Sequence, residues 1–175
     1  ASARVPLVLA GPRIDGETKI DQVVRTVDVL PTVLDLLDAP SVKCDGFSLA
    51  EIISDPERQL GLCAFNETGI WIAQIPGQPE GHLTYPDLLH LLDVPDDRTG
   101  TLSIKREYQS LVLEAKDRMV SDGRWKLVYQ PLSDGPKLSL YDLEFDPECR
   151  SDVSATHPTE VERLQLCLNA WLADE

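Results

Sequence analysis

The sequence is short of the residues from which most active sites are built. It holds 3 histidines, 1 methionine and 4 cysteines in 175 residues, and aromatics make up 6%. No two cysteines have the C-x-x-C spacing, and no histidine stands at zinc-ligand distance from one, which argues against a structural zinc site. There is no phosphate-cradling glycine loop and no basic strip interleaved with aromatics. The longest apolar run, Val5 to Ala10, contains Pro6 and is far shorter than the roughly 20 residues a membrane span needs. Basic side chains are also scarce: 16 against 30 acidic ones, a net charge of −14. That balance argues against a nucleic-acid backbone or an anionic membrane as partner. The opening Ala1-Ser2-Ala3-Arg4 has no signal-peptide pattern, so the compartment is left unassigned, with the cytoplasm favoured over export.

What is present is ordinary globular material, 42% hydrophobic and 26% charged. The length suits one domain, or one domain with a small subdomain, and permits a core without staples. Cys44, Cys63, Cys149 and Cys167 are expected to be free thiols, because their wide spacings do not form a disulfide framework.

Val5 to Ala10 reads as a short strand covered on both faces, apolar without alternation and stopped by Gly11-Pro12. Val23 to Val27 suggests a second extended piece. Asp28 is a good N-cap, and Pro31 falls in the first turn of a helix over 29–38 whose stripe is Leu30, Val33, Leu34 and Leu37. Ser48 with Glu51 has the capping-box spacing for a short helix through Ile53. Residues 60–65 and 69–75 read as strands joined at Asn66-Glu67-Thr68, residues 76–84 as loop, and 85–92 as a short helix with Pro86 in its first turn. Residues 95–100 read as loop, and 105–116 are ambiguous between helix and strand. Arg118 to Gln130 is a hairpin around Asp122-Gly123, in which Trp125, Leu127 and Tyr129 alternate with Lys126 and Val128. Leu138 to Leu143 is a third strand. Residues 159–173 form a helix with Val161, Leu164, Leu168 and Trp171 on one face.

Several patterns could be taken for chemistry, and each has a simpler reading. Gly46-Phe47-Ser48-Leu49-Ala50 imitates a nucleophile elbow, but no strand precedes the serine. Ser54-Asp55-Pro56-Glu57-Arg58 fits S-x-P-x-R, yet also reads as a helix end and an Asp-Pro turn. His90 and Asp87 are three apart and His82 is near them in sequence, but a metal needs three or four convergent ligands. Asp93, Asp96 and Asp97 lack calcium-loop spacing and read as a solvated loop. Asn66-Glu67-Thr68 is a glycosylation sequon with meaning only on a eukaryotic secretory route.

Two stretches resemble a known family. Arg4-Val5-Pro6-Leu7-Val8-Leu9-Ala10-Gly11-Pro12, then Val27-Asp28-Val29-Leu30-Pro31-Thr32-Val33-Leu34, then Asp45-Gly46-Phe47-Ser48-Leu49, resemble the C-terminal half of a sulfatase. Gly123-Arg124-Trp125-Lys126-Leu127-Val128-Tyr129, Leu140-Tyr141-Asp142-Leu143, Asp146-Pro147-Glu148 and Asp152-Val153 are similar to that family's closing run. Asp152 stands where the family commonly has asparagine, and Cys149 and Arg150 replace a polar pair.

The resemblance implies an α/β fold, the C-terminal part of an alkaline phosphatase-like sulfatase, with a small antiparallel sheet packed against a C-terminal helix. Residues 1–58 would be the remnant of the large α/β domain. Residues 59–175 would be the small C-terminal subdomain, with a subfamily-specific insert near 76–114. The family's chemistry uses a formylglycine nucleophile and calcium, both held by motifs upstream of this stretch. No residue here is therefore assigned a catalytic, cofactor-binding or metal-binding role, and Ser54 matches the nucleophile motif by spacing alone. The implied function is scaffold, and part of the substrate rim, of a sulfuric ester hydrolase inactive without its upstream half. The implied partner is that upstream half of the polypeptide, or a second copy through self-association. The alternatives are a stand-alone binding or structural module, and part of a phosphonate or phosphate ester hydrolase of the same superfamily.

Overall fold

A computed structural model describes residues 5–11, 13, 14, 16, 18–71 and 77–173. Contacts divide the chain into two compact units: 1–64 with 121–124, and 65–120 with 125–175.

In the first unit a 3₁₀ turn, Thr26–Asp28, runs into α1, Val29–Leu36; α2 is Ala50–Ser54. Pro31 is tolerated because the first N–H groups of a helix have no intrahelical partner. The end of α1 is a Schellman motif. Ala39 N–H donates to Leu34 O at 2.8 Å and Asp38 N–H to Asp35 O at 3.1 Å, with Asp38 at φ +52°. Arg13 adds its guanidinium to the exposed carbonyl of Leu36 at 2.9 Å and pairs with Asp38 at 3.0 Å, as a cation at a helix C-terminus should.

The core of this unit is small. Leu49 and Ile52 are buried, together with Asp28 and Thr32. The expected stripe of α1 is not covered: Leu30 is 52% and Leu37 68% exposed, and the buried residue of the helix is Thr32. Val5 to Ala10, expected as a buried strand, pairs with no strand among the described residues, and Val5 and Val8 are 61% and 85% exposed. The extended piece expected at Val23 to Val27 pairs with no strand either, and its end is taken by the 3₁₀ turn. An apolar run forms a strand only where neighbours accept its hydrogen bonds, and the described residues supply none here.

The second unit is organised on a four-stranded sheet in the order β1-β4-β5-β6. Its strands are β1 Ala64–Glu67, β4 Arg118–Ser121, β5 Trp125–Gln130 and β6 Lys137–Asp142. The Asp122-Gly123 turn places Gly123 at φ +106°, a conformation that favours glycine. β5 and β6 are antiparallel, with Leu127 opposite Leu140 and Trp125 opposite Asp142. The alternation in β5 buries Trp125 and Leu127, and α5, Pro158–Ala173, packs on that strand with Leu164 and Leu168 buried. Trp171 of α5 stacks on Phe65 of β1, centroids 5.0 Å apart.

The free edge of β6 is closed by the chain that follows it. Asp152 Oδ1 accepts Leu140 N–H at 3.1 Å, and Val153 N–H donates to Leu140 O at 2.9 Å. The remaining elements are α3 Leu88–Leu91, the two-residue strands β2 Leu92–Asp93 and β3 Ser103–Ile104, and α4 Arg106–Glu114. The ambiguous 105–116 stretch is therefore helical. The strand expected at 60–65 starts later, at Ala64; residues 69–71 are irregular, and 72–75 lie outside the described residues. Pro86 lies outside α3, whose N-cap is Asp87.

Candidate functional site

In the first unit, motif residues far apart in sequence meet in one buried cluster. Asp28 does not cap α1 with its side chain, as its position suggested. Its carboxylate is fully buried and takes the Arg25 guanidinium at 2.7 and 3.1 Å, the Arg25 N–H at 2.8 Å and the Phe47 N–H at 2.9 Å. Burial alone would raise this carboxyl. The Arg25 side chain and the two backbone donors outweigh it and hold the group below the ordinary carboxylate range.

Thr32 Oγ1 donates to Asp28 O at 2.5 Å and accepts Leu49 N–H at 2.9 Å. Gly46 lies so close to the 3₁₀ turn that a Cβ there would fall 2.0 Å from Val27 O. The glycine is required by that backbone approach, and the turn it was expected to make is secondary. The cluster locks the loop at 46–49 onto the start of α1. Each of these polar contacts joins one part of this unit to another, which is a structural role.

The two serines of the motif-like segments have similarly local roles. Ser48 Oγ donates to Asp35 Oδ2 and accepts Ala50 N–H at 3.2 Å. Its expected capping-box partner Glu51 instead pairs with Arg58 at 2.9 Å. Ser54 Oγ donates back to Ala50 O and Glu51 O at the end of α2. Among the described contacts neither serine meets a histidine; Ser48 meets the Asp35 carboxylate, and Ser54 meets backbone carbonyls.

In the second unit His82, within the stretch 76–84 read as loop, is buried. Nε2 lies 2.7 Å from Asp117 Oδ1 and Nδ1 2.7 Å from Leu83 O. Gln130 Nε2 reaches the other Asp117 oxygen at 3.4 Å. Thr68 and Asp117 exchange backbone and hydroxyl bonds at 2.9 and 3.0 Å. The Trp71 ring lies against His82 at 4.8 Å and stacks on Tyr85 at 5.7 Å, and the Trp71 backbone N–H donates to the Tyr85 hydroxyl. Both ring nitrogens of His82 face protein oxygens, so the ring has no free nitrogen to offer a substrate. Sequence reasoning missed Asp117, because 35 positions separate it from His82 and no local pattern links them.

His90 and Asp87 do meet, at 3.0 Å, but as the exposed cap of α3, where Asp87 Oδ1 also takes Leu89 and His90 N–H. Asp93 and Asp96 each accept the N–H of a following residue in their own turns. Among the described residues no three histidine, cysteine, aspartate or glutamate side chains converge. Those residues therefore do not supply the convergent oxygen ligands a calcium ion takes. An open groove of about 450 Å³ is lined by Leu83, Leu113, Leu132 and Leu172 together with Tyr129 and Arg118. The Arg118 guanidinium donates to Leu113 O and Lys116 O at 2.8 and 3.3 Å, and its Nε, 3.7 Å from Glu67 Oε2, makes no hydrogen bond among the described residues.

No protein-family profile matches the chain. Its similarity is to sulfatases. Chicken arylsulfatase K is 24% identical over 172 residues, 97% of this chain and 26% of the relative. The human arylsulfatase K is 26% identical over 161 residues, 90% of this chain and 24% of the relative. A dog arylsulfatase K reaches 39% identity, but over 56 residues. The chain is thus related to sulfatases, at low identity over nearly its whole length, and spans about a quarter of the length of the curated relatives it matches. Among solved structures it is similar to the phosphonate monoester hydrolase of Agrobacterium radiobacter, with 20% identity, 84% of this chain, 24% of that one and a TM-score of 0.47. It is also similar to BT4656, solved with its substrate D-glucosamine-2-N,6-O-disulfate, with 16% identity, 82% and 22% coverage and a TM-score of 0.48.

Proposed function

We propose that the chain is the C-terminal scaffold of a sulfatase-type sulfuric ester hydrolase and does no chemistry by itself. The nucleophile and the calcium ligands would come from upstream sequence of the same polypeptide, and residues 77–114 would lie at the substrate entrance. The observation that carries this reading is the uncovered apolar surface of the first unit. Val5, Val8, Leu30 and Leu37 are all more than half exposed, while the buried apolar side chains described in this unit are Leu49 and Ile52. A patch of this kind marks an interaction face. The relatives are about four times longer than the chain, which supports a further piece of the same protein as the cover.

The test is hydrolysis of an aryl sulfate by the chain alone and by the chain joined to the coding sequence that precedes it. The expected result is no turnover alone and turnover when joined. Turnover by the chain alone that disappears in Ser54→Ala would overturn the proposal and make the S-x-P-x-R serine the nucleophile. No turnover with aryl sulfates or aryl phosphonates when joined would favour a binding module.

A further inference from the structure

The second unit brings together a thiol and an amine that the proposed scaffold role does not use. Cys149 Sγ lies 3.8 Å from Lys126 Nζ, with the ammonium donating toward sulfur. The two side chains come from different segments, β5 and the loop after β6, and both are half-buried. Cys149 is held at φ +54°, a backbone conformation rare for a non-glycine residue; Cys149 N–H donates to Asp146 O at 3.1 Å, and Asp146 Oδ2 accepts Arg150 and Ser151 N–H. Tyr141 stands opposite Lys126 in the ladder. Burial raises its phenol against the hydrogen bond from Ser139, so it remains neutral and offers Lys126 no counter-charge.

We propose that Cys149 and Lys126 form a peroxide-driven, thiol-reversible covalent cross-link. A peroxide oxidises the thiol by two electrons to a sulfenic acid and is itself reduced to water. The amine, having released a proton to solvent, attacks the sulfur. An S–N bond forms, the S–O bond breaks, and the hydroxyl leaves as water with a proton from nitrogen. Overall, one thiol, one amine and one hydrogen peroxide give a sulfenamide and two waters. Two equivalents of an added thiol return the amine and the cysteine and leave as a disulfide. The bridge would staple the 146–151 loop to β5.

The experiment treats the full chain with hydrogen peroxide, digests it with trypsin and maps the peptides by mass spectrometry. The expected result is a peptide pair joining Lys126 to Cys149, lighter by two hydrogens than its separate parts. Cleavage after Lys126 should be lost, and dithiothreitol should restore both. Lys126→Arg should give no cross-link and should instead accumulate a Cys149 sulfenic acid that dimedone captures. Wild-type Cys149 found unmodified, as sulfinic acid or in a disulfide, with no link to Lys126, would overturn the proposal.

Discussion

The Asp28 carboxylate accepts the backbone N–H of Phe47 at 2.9 Å, nineteen positions further along the chain. This bond joins two motifs that look independent in the sequence, Val27 to Leu34 and Asp45 to Leu49. Asp28→Ala would leave the Arg25 guanidinium and the Phe47 N–H without their acceptor in a buried site. Removing one partner of a buried ion pair costs about 3–5 kcal/mol. Gly46→Ala should be comparably harmful, because the new Cβ meets backbone rather than a side chain that can move. Denaturant unfolding of both variants checks this. A loss below about 1 kcal/mol for either would show that the loop at 46–49 is not locked there.

Acid should weaken both units. Asp28 and Asp152 are each held below the ordinary carboxylate value. For Asp152 burial opposes the shift, and hydrogen bonds from Ser154, Ser139 and the Leu140 N–H overcome it. A carboxyl whose folded pKa is depressed contributes stability that is present above its unfolded value, near pH 4, and lost as pH falls through the folded value. Unfolding free energy should therefore drop below about pH 4, and Asp28→Asn should flatten part of that drop. An unchanged acid limb in Asp28→Asn would remove Asp28 from the account.

Leu140 and Leu127 face each other across β5 and β6 and are both fully buried beside Leu164 and Leu168. Leu140→Ala should cost about 2–5 kcal/mol. Leu166, on the exposed face of α5, is the control, and Leu166→Ala should change stability by less than about half a kcal/mol. Equal losses in urea unfolding would contradict the packing of α5 on the sheet.

The parts of this fold that were legible in the sequence are those set by short-range patterns. Alternation at Trp125, Leu127 and Tyr129, the Asp122-Gly123 turn and the stripe of α5 each act within a few residues, and the structure has the hairpin and helix where the patterns put them. Partners distant in sequence were not legible. Asp28 looks like an N-cap until the Phe47 N–H is seen to meet its carboxylate, and His82 looks like a loop residue until the Asp117 carboxylate is seen to meet its ring. Residues 105–116 carried no clear period, because Leu111, Val112 and Leu113 are contiguous and Val112 is the buried one of the three. Val5 to Ala10 shows the opposite limit. Its composition is that of a buried strand, and among the described residues no strand pairs with it.

The central claim is that the first unit is completed by sequence outside this chain. Amide hydrogen exchange at Leu7 to Leu9, read with sedimentation of the same samples, tests it most directly. In the chain alone these amides should exchange with little protection, or gain protection only as the chain self-associates through this unpaired segment. Joined to the preceding coding sequence, they should become strongly protected in a monomer. Strong protection at Leu7 to Leu9 in a clean monomer of the chain alone would show that it pairs its own strand, and would contradict the account.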